Sequence, residues 1–304
     1  MKGNPEDISF LRRCINTFSW IAKHGLINFK HQRRNRWLFD TPLTGEFPVS
    51  NTSVTDSEVF ASYSSLCGLA ARNMEIFNVF RRSRIMVDAL DHVSIQQGKA
   101  YIVEILNSNS WSNDFTKVLM HVDSVGEPRK FRFRPYGTFS PTLLRYLKVY
   151  IDLKNFFGPL KNLKIAEIGI GFGGQATLIN LLDNPLQYTC FDLPPVLDLA
   201  KKFMNQLAVP DRYSFIDGRN PMHSNSDLVI SNYAFSEMNR NIQDQYLKNV
   251  ILPSPRGYIT WNNLAEKGFG GYTLAELVRI IPSSQIYPER PTTSEGNVIV
   301  IWGI

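Results

Sequence analysis

The stretch "IAEIGIGFGGQATLI" (165–179) decides the fold of this chain. An apolar, strand-like run ends at Ile168, a helix-like run begins near Gly174, and a glycine-rich turn joins them. Glycine suits such a turn because the chain must reverse tightly and a Cβ would obstruct a closely approaching ligand. The spacing fits both the dinucleotide pattern G-x-G-x-x-G and the S-adenosylmethionine (SAM) pattern E-x-G-x-G-x-G, which begins at Glu167. Glycine spacing alone therefore leaves two cofactors open.

Strand-like and helix-like runs alternate on both sides of this turn. The strand-like runs "QYTCFDL" (187–193) and "DLVISNYAF" (227–235) flank the helical run "VLDLAKKFMNQL" (196–207). Such alternation predicts a mostly parallel sheet covered by helices on both faces. The last two strands, "SQIYPE" (284–289) and "NVIVIWG" (297–303), are joined by a connection too short for a crossover helix. We therefore predict that the last strand runs antiparallel to its neighbour.

The N-terminal part has a different character. Apolar residues recur at helical spacing over residues 6–23, and Thr55 and Glu58 have the spacing of a capping box at the start of another helix. The chain reads as mostly helical up to about residue 115. We predict a mainly helical accessory domain over residues 1–135, for acceptor binding or oligomerisation, and a cofactor-binding domain over residues 136–304.

Composition limits the classes of function. The formal net charge is +6, and the densest basic run is "FKHQRRNRW" (29–37). This run could meet an anionic membrane surface or a phosphorylated substrate, and an ordinary solvated face is the simpler interpretation. There is no apolar stretch of membrane-spanning length, no signal-peptide pattern and too few cysteines for a disulfide framework. We expect a cytoplasmic protein.

Three observations favour SAM over a dinucleotide. Glu167 lies two residues before the first glycine, where its carboxylate suits the ammonium group of a methionine and not a passing pyrophosphate. Asp192 ends the next strand, where a carboxylate can accept hydrogen bonds from both ribose hydroxyls of either cofactor. A parallel sheet with one reversed strand at its end is the usual core of SAM-dependent methyltransferases.

Segments in the C-terminal two thirds resemble the sugar O-methyltransferase family of bacterial SAM-dependent enzymes. The similar segments are "GTFSPTLLRYLKVYIDLKNFFG" (137–158), "IAEIGIGFGGQATLI" (165–179), "YTCFDLPPVLDLAKKF" (188–203), "DLVISNYAFSEMNRNIQDQYLKNVI" (227–251) and "RGYITWN" (256–262). The resemblance implies an α/β fold with a Rossmann-like class I methyltransferase core. Its seven-stranded sheet would be mostly parallel, with an antiparallel last strand. The implied activity is methyl transfer from SAM to a hydroxyl of a sugar, either nucleotide-linked or part of a surface glycan or lipopolysaccharide precursor.

The resemblance also implies a set of cofactor-binding residues. The glycine turn would line the methionine and ribose of SAM, Asp192 and Leu193 would lie at the ribose, and Asp217 and Gly218 at the adenine. A segment before the core would close over the methionine end, where an arginine could pair with the carboxylate. The full set is Glu167, Gly169, Gly171, Gly173, Asp192, Leu193, Asp217, Gly218, Asn232, Arg145 and Tyr146.

The catalytic candidates lie in the loop before the fourth strand of the core, at the end of that strand and just after it. They are Glu237, His223 and Tyr233. In the implied reaction, alignment of an acceptor hydroxyl with the electrophilic methyl supplies most of the rate. A base that takes the hydroxyl proton adds about 10²–10⁴-fold. Trp261, Asn262 and Asn263 at the end of the fifth strand could form a stacking and hydrogen-bonding wall for a sugar ring. We expect no metal, since the strand ends offer no adjacent acidic pair.

Two other classes of function remain. One is an NAD(P)-dependent oxidoreductase that uses the same glycine turn. The other is a non-enzymatic basic module that binds a membrane surface or a nucleic acid, although the chain carries no RNA-binding signature, and we expect no nucleic-acid partner. A homo-oligomer is compatible with the sequence, which does not indicate the number of subunits.

Overall fold

The computed structural model describes residues 61–108, 110–262 and 270–304. The helix predicted over residues 6–23, the basic run at 29–37, the capping box at Thr55 and the sugar-wall residue Asn263 lie outside these ranges, and they stay predictions. Among the residues that the structure describes, no helix is both long enough and apolar enough to cross a membrane.

The described N-terminal part is mostly helical, as predicted, and its last helix ends at Val122 instead of near residue 115. A 3₁₀ turn at Phe80–Arg82 separates the second helix from the third. The second and fifth helices have side-chain caps, because Asn73 and Ser112 each accept a hydrogen bond from a backbone N–H in the first turn. The helices are α1 (Ala61–Arg72), α2 (Met74–Val79), α3 (Arg84–Ala89), α4 (Ile95–Ser108) and α5 (Asn113–Val122).

A small hairpin and a long buried helix lead into the core. Strands β1 (Phe131–Phe133) and β2 (Gly137–Phe139) pair antiparallel. Helix α6 (Pro141–Phe157) begins after Ser140 with proline in its first turn, where the missing N–H costs nothing. Every residue of α6 from Pro141 to Leu153 is buried, so this helix lies inside the protein over most of its length.

Seven strands form the main sheet, in the order β5-β4-β3-β6-β7-β9-β8. The strands from β3 to β7 run parallel, and β9 runs antiparallel to both β7 and β8. The predicted fold class, a mostly parallel seven-stranded sheet with an antiparallel last strand, is confirmed. The strands are β3 (Lys164–Ile168), β4 (Gln187–Asp192), β5 (Tyr213–Asp217), β6 (Leu228–Asn232), β7 (Gly257–Trp261), β8 (Gln285–Pro288) and β9 (Val298–Trp302).

Helices cover both faces of the sheet. The connecting helices are α7 (Gly174–Asp183), α8 (Pro194–Gln206), α9 (Arg240–Tyr246), which continues as a π-helical turn (Leu247–Ile251), and α10 (Leu274–Ile280). Side chains alternate along each strand, so Ile165 faces the core under α7 and α8, whereas Ala166 faces the core under α9 and α10. The N-terminal helices join the first of these cores: α1 packs on α8, α4 on α6 and α5 on α7. The division of the chain at residue 135 stays a prediction.

One buried ion-pair network connects the helical part to the glycine turn. Arg81 is fully buried and donates to Asp91 at 2.9 Å and to Asp123 at 2.9 Å. Its guanidinium also donates to Ser140 Oγ at 3.1 Å and lies 4.7 Å from the ring centre of Phe172, a residue of the glycine turn. The glycine turn therefore packs, through Phe172, against the buried Arg81 of the N-terminal part.

Candidate functional site

The glycine turn has the backbone conformation that the sequence predicts. Gly169, Gly171 and Gly173 have φ values of +80°, +56° and +87°, a region that other residues rarely adopt. A Cβ on Gly169 would lie 2.1 Å from the Cβ of Ala234. The turn opens directly into the N-terminus of α7, whose free N–H groups favour a negatively charged or hydrogen-bond-accepting ligand.

Asp192 is held against this turn. The Gly171 N–H donates to Asp192 Oδ2 at 2.9 Å, and the Leu193 N–H donates to Oδ1 at 2.8 Å. Burial raises the pKa of Asp192 to about 6, and these two N–H donors limit the rise. The Gly218 N–H donates to the backbone carbonyl of Asp192 at 2.8 Å. The structure thus brings four predicted cofactor residues together at the carboxyl end of β4, and each carboxylate oxygen of Asp192 keeps a lone pair for a further donor.

Glu167 lies deeper than its neighbours. It is only 2% exposed, and Tyr188 donates its hydroxyl to Glu167 Oε2 at 2.7 Å. Burial raises the pKa of Glu167 to about 8, because a charged carboxylate is poorly solvated there. The side chain lies beneath the glycine turn, and its contact with a methionine ammonium stays a prediction.

The end of β5 is engaged by a neighbouring arginine. Arg219 donates to Asp217 Oδ2 at 2.7 Å through its terminal nitrogen. Burial raises the pKa of Asp217, but the hydrogen bonds from Arg219 outweigh it and leave the pKa below its usual value. A Cβ on Gly218 would lie 2.8 Å from the hydroxyl of Tyr246, and this buried hydroxyl has no hydrogen-bond partner among the described residues. The Tyr246 hydroxyl therefore keeps capacity for a hydrogen bond beside Asp217 and Gly218.

The end of β6 carries a strained residue. Tyr233 has φ +69°, which is uncommon for a side chain of this size and often marks a functional position. Its hydroxyl donates to Glu289, a residue 56 positions further along the chain. The preceding Asn232 receives a 3.4 Å contact from the hydroxyl of Thr260 on β7. Both predicted residues therefore lie at the carboxyl edge of the sheet.

Glu237 is the carboxylate that follows this segment in the chain. Asn262 donates to Glu237 Oε1 at 2.8 Å, and burial raises the pKa of Glu237 to about 7. Arg240 forms its ion pair with Glu276 at 2.8 Å instead of with Glu237. A carboxyl group with a pKa near neutrality is suited to exchange a proton at neutral pH.

Arg145 and Tyr146 approach the turn from α6. Arg145 is 9% exposed and donates to the backbone oxygen of Leu90 at 3.1 Å, and within the described part of the chain its Nε has no hydrogen-bond partner. Leu90 in turn lies against the glycine turn, since a Cβ on Gly171 would meet it at 2.9 Å. Tyr146 lies 2.7 Å from the corresponding position on Gly174. Tyr146 therefore lies against the turn and Arg145 is linked to it through Leu90, and the binding of SAM by these two residues stays a prediction.

His223 and Trp261 do not lie with the other predicted site residues. His223 is exposed, and the next residue, Ser224, is bonded through its N–H to Asn249 in the π-helical turn before β7. That position is away from the carboxyl ends of the strands, so His223 gains no support as a base. Trp261 is fully buried, with its ring 6.2 Å from that of Phe235. The interpretation of Trp261 as a wall for a sugar ring is wrong, because its alternating position on β7 directs it into the core.

The structure also reveals residues that the sequence does not point to. A cavity of about 20 Å³ lies between α4, α6 and the carboxyl ends of β6 and β7. Its lining includes Tyr101, Arg145, Lys148, Asn232, Tyr233 and Glu289. Glu289 follows β8 in a polar connection, where no local pattern distinguishes it from a surface acid. Within the described ranges, no cluster of three His, Cys, Asp or Glu side chains could hold a metal ion. The absence of a metal stays an expectation.

Comparison with known proteins gives distant structural matches. No protein-family model matches the chain, and no curated protein matches it. Mitomycin 7-O-methyltransferase aligns with 14% identity and a TM-score of 0.40, over 53% of this chain and 53% of its own, so the match spans about half of that enzyme. A SAM-dependent methyltransferase from Aquifex aeolicus aligns with 14% identity and a TM-score of 0.37, over 50% of this chain and 87% of its own.

A third solved structure, a mutant of MtNAS in complex with S-adenosylmethionine, aligns over 80% of this chain and 89% of its own. Its identity is 15% and its TM-score 0.40. At this level of similarity none of the three defines an activity or a substrate for this chain.

Proposed function

We propose that this chain is a SAM-dependent O-methyltransferase. The observation that carries the proposal is the glycine turn with three left-handed glycines, closed by the carboxylate of Asp192 at the carboxyl end of β4. The turn lies where the chain leaves β3 between its two parallel neighbours, and ligands of open α/β sheets bind at such switch points. The antiparallel β9 supports a methyltransferase core over a dinucleotide sheet.

The residues around the turn fit SAM in three places. Asp192 retains acceptor capacity for ribose hydroxyls, as its two backbone donors occupy one lone pair on each oxygen. The unpaired hydroxyl of Tyr246 lies beside Gly218, where the adenine is expected. The unpaired Nε of Arg145 suits the carboxylate of the methionine. When bound, SAM supplies an electrophilic methyl group.

The chain itself supplies alignment and a proton acceptor. Tyr233 and Asn232 lie at the edge of the sheet where an acceptor hydroxyl would be aligned with the methyl group. Glu237 is the base predicted from the sequence, and its pKa of about 7 keeps a large fraction ionised at neutral pH. Removal of a general base of this kind lowers a rate by about 10²–10⁴-fold.

The acceptor that we propose is a hydroxyl of a sugar, nucleotide-linked or part of a surface glycan. It is supported by the resemblance of residues 137–262 to the sugar O-methyltransferase family. The test is mass spectrometry of nucleotide sugars and surface glycans from cells with and without the gene. A sugar species lighter by one methyl group in cells without the gene is the expected result. Unchanged sugars in both fractions would refute this acceptor class.

An NAD(P)-dependent oxidoreductase is the alternative, since the glycine spacing is compatible with a dinucleotide. A ligand that binds only the folded protein raises its melting temperature, so thermal unfolding with SAM and with NADH separates the two. Stabilisation by SAM supports the methyltransferase. Stabilisation by NADH alone would replace it with the oxidoreductase.

A further inference from the structure

The cavity beside Tyr233 adjoins the glycine turn through two separate contacts. Ala234, which follows Tyr233, lies against Gly169, and Leu90, which accepts a hydrogen bond from Arg145, lies against Gly171. Tyr233 and Arg145 both line the cavity. At about 20 Å³ the cavity has room for one water-sized group, such as a single hydroxyl. It therefore offers a place for one hydroxyl next to the turn.

Tyr233 and Glu289 form a hydrogen-bonded pair in the wall of this cavity. Glu289 is 6% exposed, and its Oε1 accepts the hydroxyl proton of Tyr233. Its Oε2 accepts from both the backbone N–H and the hydroxyl of Thr293, at 2.8 and 2.6 Å. Thr293 Oγ1 also lies 3.1 Å from Tyr233 Oη. Because Tyr233 and Thr293 both direct their hydroxyl protons to the carboxylate, the lone pairs of Tyr233 Oη are left to accept from a third group.

The other wall of the cavity is polar and already paired. Lys148 donates to Asp152 at 2.6 Å, and Tyr258 donates to the second oxygen of Asp152 at 3.1 Å. These groups are occupied with one another, whereas Tyr233 Oη combines a free lone pair with a carboxylate directly behind it. Tyr233 is also the residue of this wall whose backbone is strained, with φ +69°.

We propose that the acceptor hydroxyl enters this cavity and hydrogen-bonds to Tyr233, and that Glu289 is the positioning residue that draws the proton away through Tyr233. The inference rests on the proposed methyltransferase function. As the acceptor oxygen forms its bond to the methyl carbon, the bond from that carbon to sulfur breaks and its electron pair stays on the sulfur. The acceptor proton moves to Tyr233 Oη, and the proton of Tyr233 moves to Glu289 Oε1, so in this step the pair takes the place of Glu237 as the proton acceptor. The acceptor leaves as a methyl ether, and Glu289 ends protonated.

The test measures methyl transfer in three variants at the pair and one control. The variants are Glu289→Gln, Glu289→Asp and Tyr233→Phe. The control is Glu295→Gln, an equivalent change at an exposed glutamate of the same connection. The probe is SAM labelled in its methyl group, incubated with a nucleotide-sugar and glycan extract of cells that lack the gene. Calorimetry measures SAM binding by each protein, and thermal unfolding checks that each is folded.

Glu289→Gln and Tyr233→Phe are expected to lower the maximal rate by about 10²-fold and to leave SAM affinity unchanged. Glu289→Asp should recover part of the rate, because it keeps a carboxylate, and Glu295→Gln should match the wild type. Tyr233→Phe removes a single oxygen atom, so its maximal rate tests the inference if Glu289→Gln does not fold.

Wild-type rates in both Glu289→Gln and Tyr233→Phe would overturn the inference and leave the proposed function intact. Weakened SAM binding with no rescue by Glu289→Asp would also overturn it, in favour of a purely structural role. If the wild-type protein neither binds SAM nor labels the extract, that result refutes the proposed methyltransferase function itself, and the inference falls with it.

Discussion

Substitution of Gly169 by alanine tests the geometry of the glycine turn. The new Cβ would lie 2.1 Å from the Cβ of Ala234, well inside the 3.4 Å at which ordinary contact begins. Alanine at φ +80° also carries the cost of a left-handed backbone, about 1–2 kcal/mol. Overpacking of a tight contact adds about 1–3 kcal/mol. We therefore expect Gly169→Ala to lower the free energy of unfolding by about 2–5 kcal/mol.

Gly270→Ala is the matched control. Gly270 has φ +64°, and none of the residues that the structure describes lies within 4 Å of its added Cβ. It therefore carries the backbone cost of about 1–2 kcal/mol without the steric one. Equilibrium unfolding in guanidinium chloride gives both free energies from the midpoint and slope. Equal losses in the two variants would refute the close packing of Gly169 against Ala234.

Two other predictions concern buried charges. Glu167→Gln should be more stable than the wild type at pH 9 and equally stable near pH 4. Between the ordinary pKa of 4.5 and the folded-state pKa of about 8, the carboxyl group of Glu167 has lost its proton only in the unfolded protein. The free energy of unfolding of the wild type therefore falls as the pH rises through this range. Denaturant unfolding across this range checks it, and a variant that is less stable at pH 9 would contradict it. Arg81→Met should lower the free energy of unfolding by about 3–5 kcal/mol, because it leaves the buried carboxylates of Asp91 and Asp123 uncompensated. Arg84→Met, at an exposed ion pair, should lower it by at most about 1 kcal/mol. Similar losses in these two variants, measured by the same unfolding assay, would argue against the buried network.

The sequence predicts those features that local patterns determine. The glycine turn follows from residues adjacent in the chain, and the parallel strands follow from apolar runs separated by helical ones. The antiparallel β9 follows from the short connection after Glu289, which no crossover helix could fit. The position of Asp192 beside the turn follows too, because neighbouring parallel strands end at the same edge of the sheet.

Features that depend on contacts between distant residues are not visible in the sequence. Glu289 pairs with Tyr233 across 56 positions, and nothing in the segment around Glu289 distinguishes it from a surface acid. Arg81 is one of several arginines in the segment 81–84, and only the fold shows that this one is fully buried. For Trp261 the sequence is misleading. Its place at the end of a strand suggests an exposed side chain, whereas the alternation of side chains along β7 directs its ring into the core.

Calorimetric titration of SAM and of NADH tests the central claim most directly. We predict that the wild-type protein binds SAM and not NADH. Asp192→Ala, which removes the carboxylate between the turn and β4, should lose measurable SAM binding while remaining folded. Binding of NADH but not SAM, or unchanged SAM affinity in Asp192→Ala, would contradict the account of this turn as a SAM site.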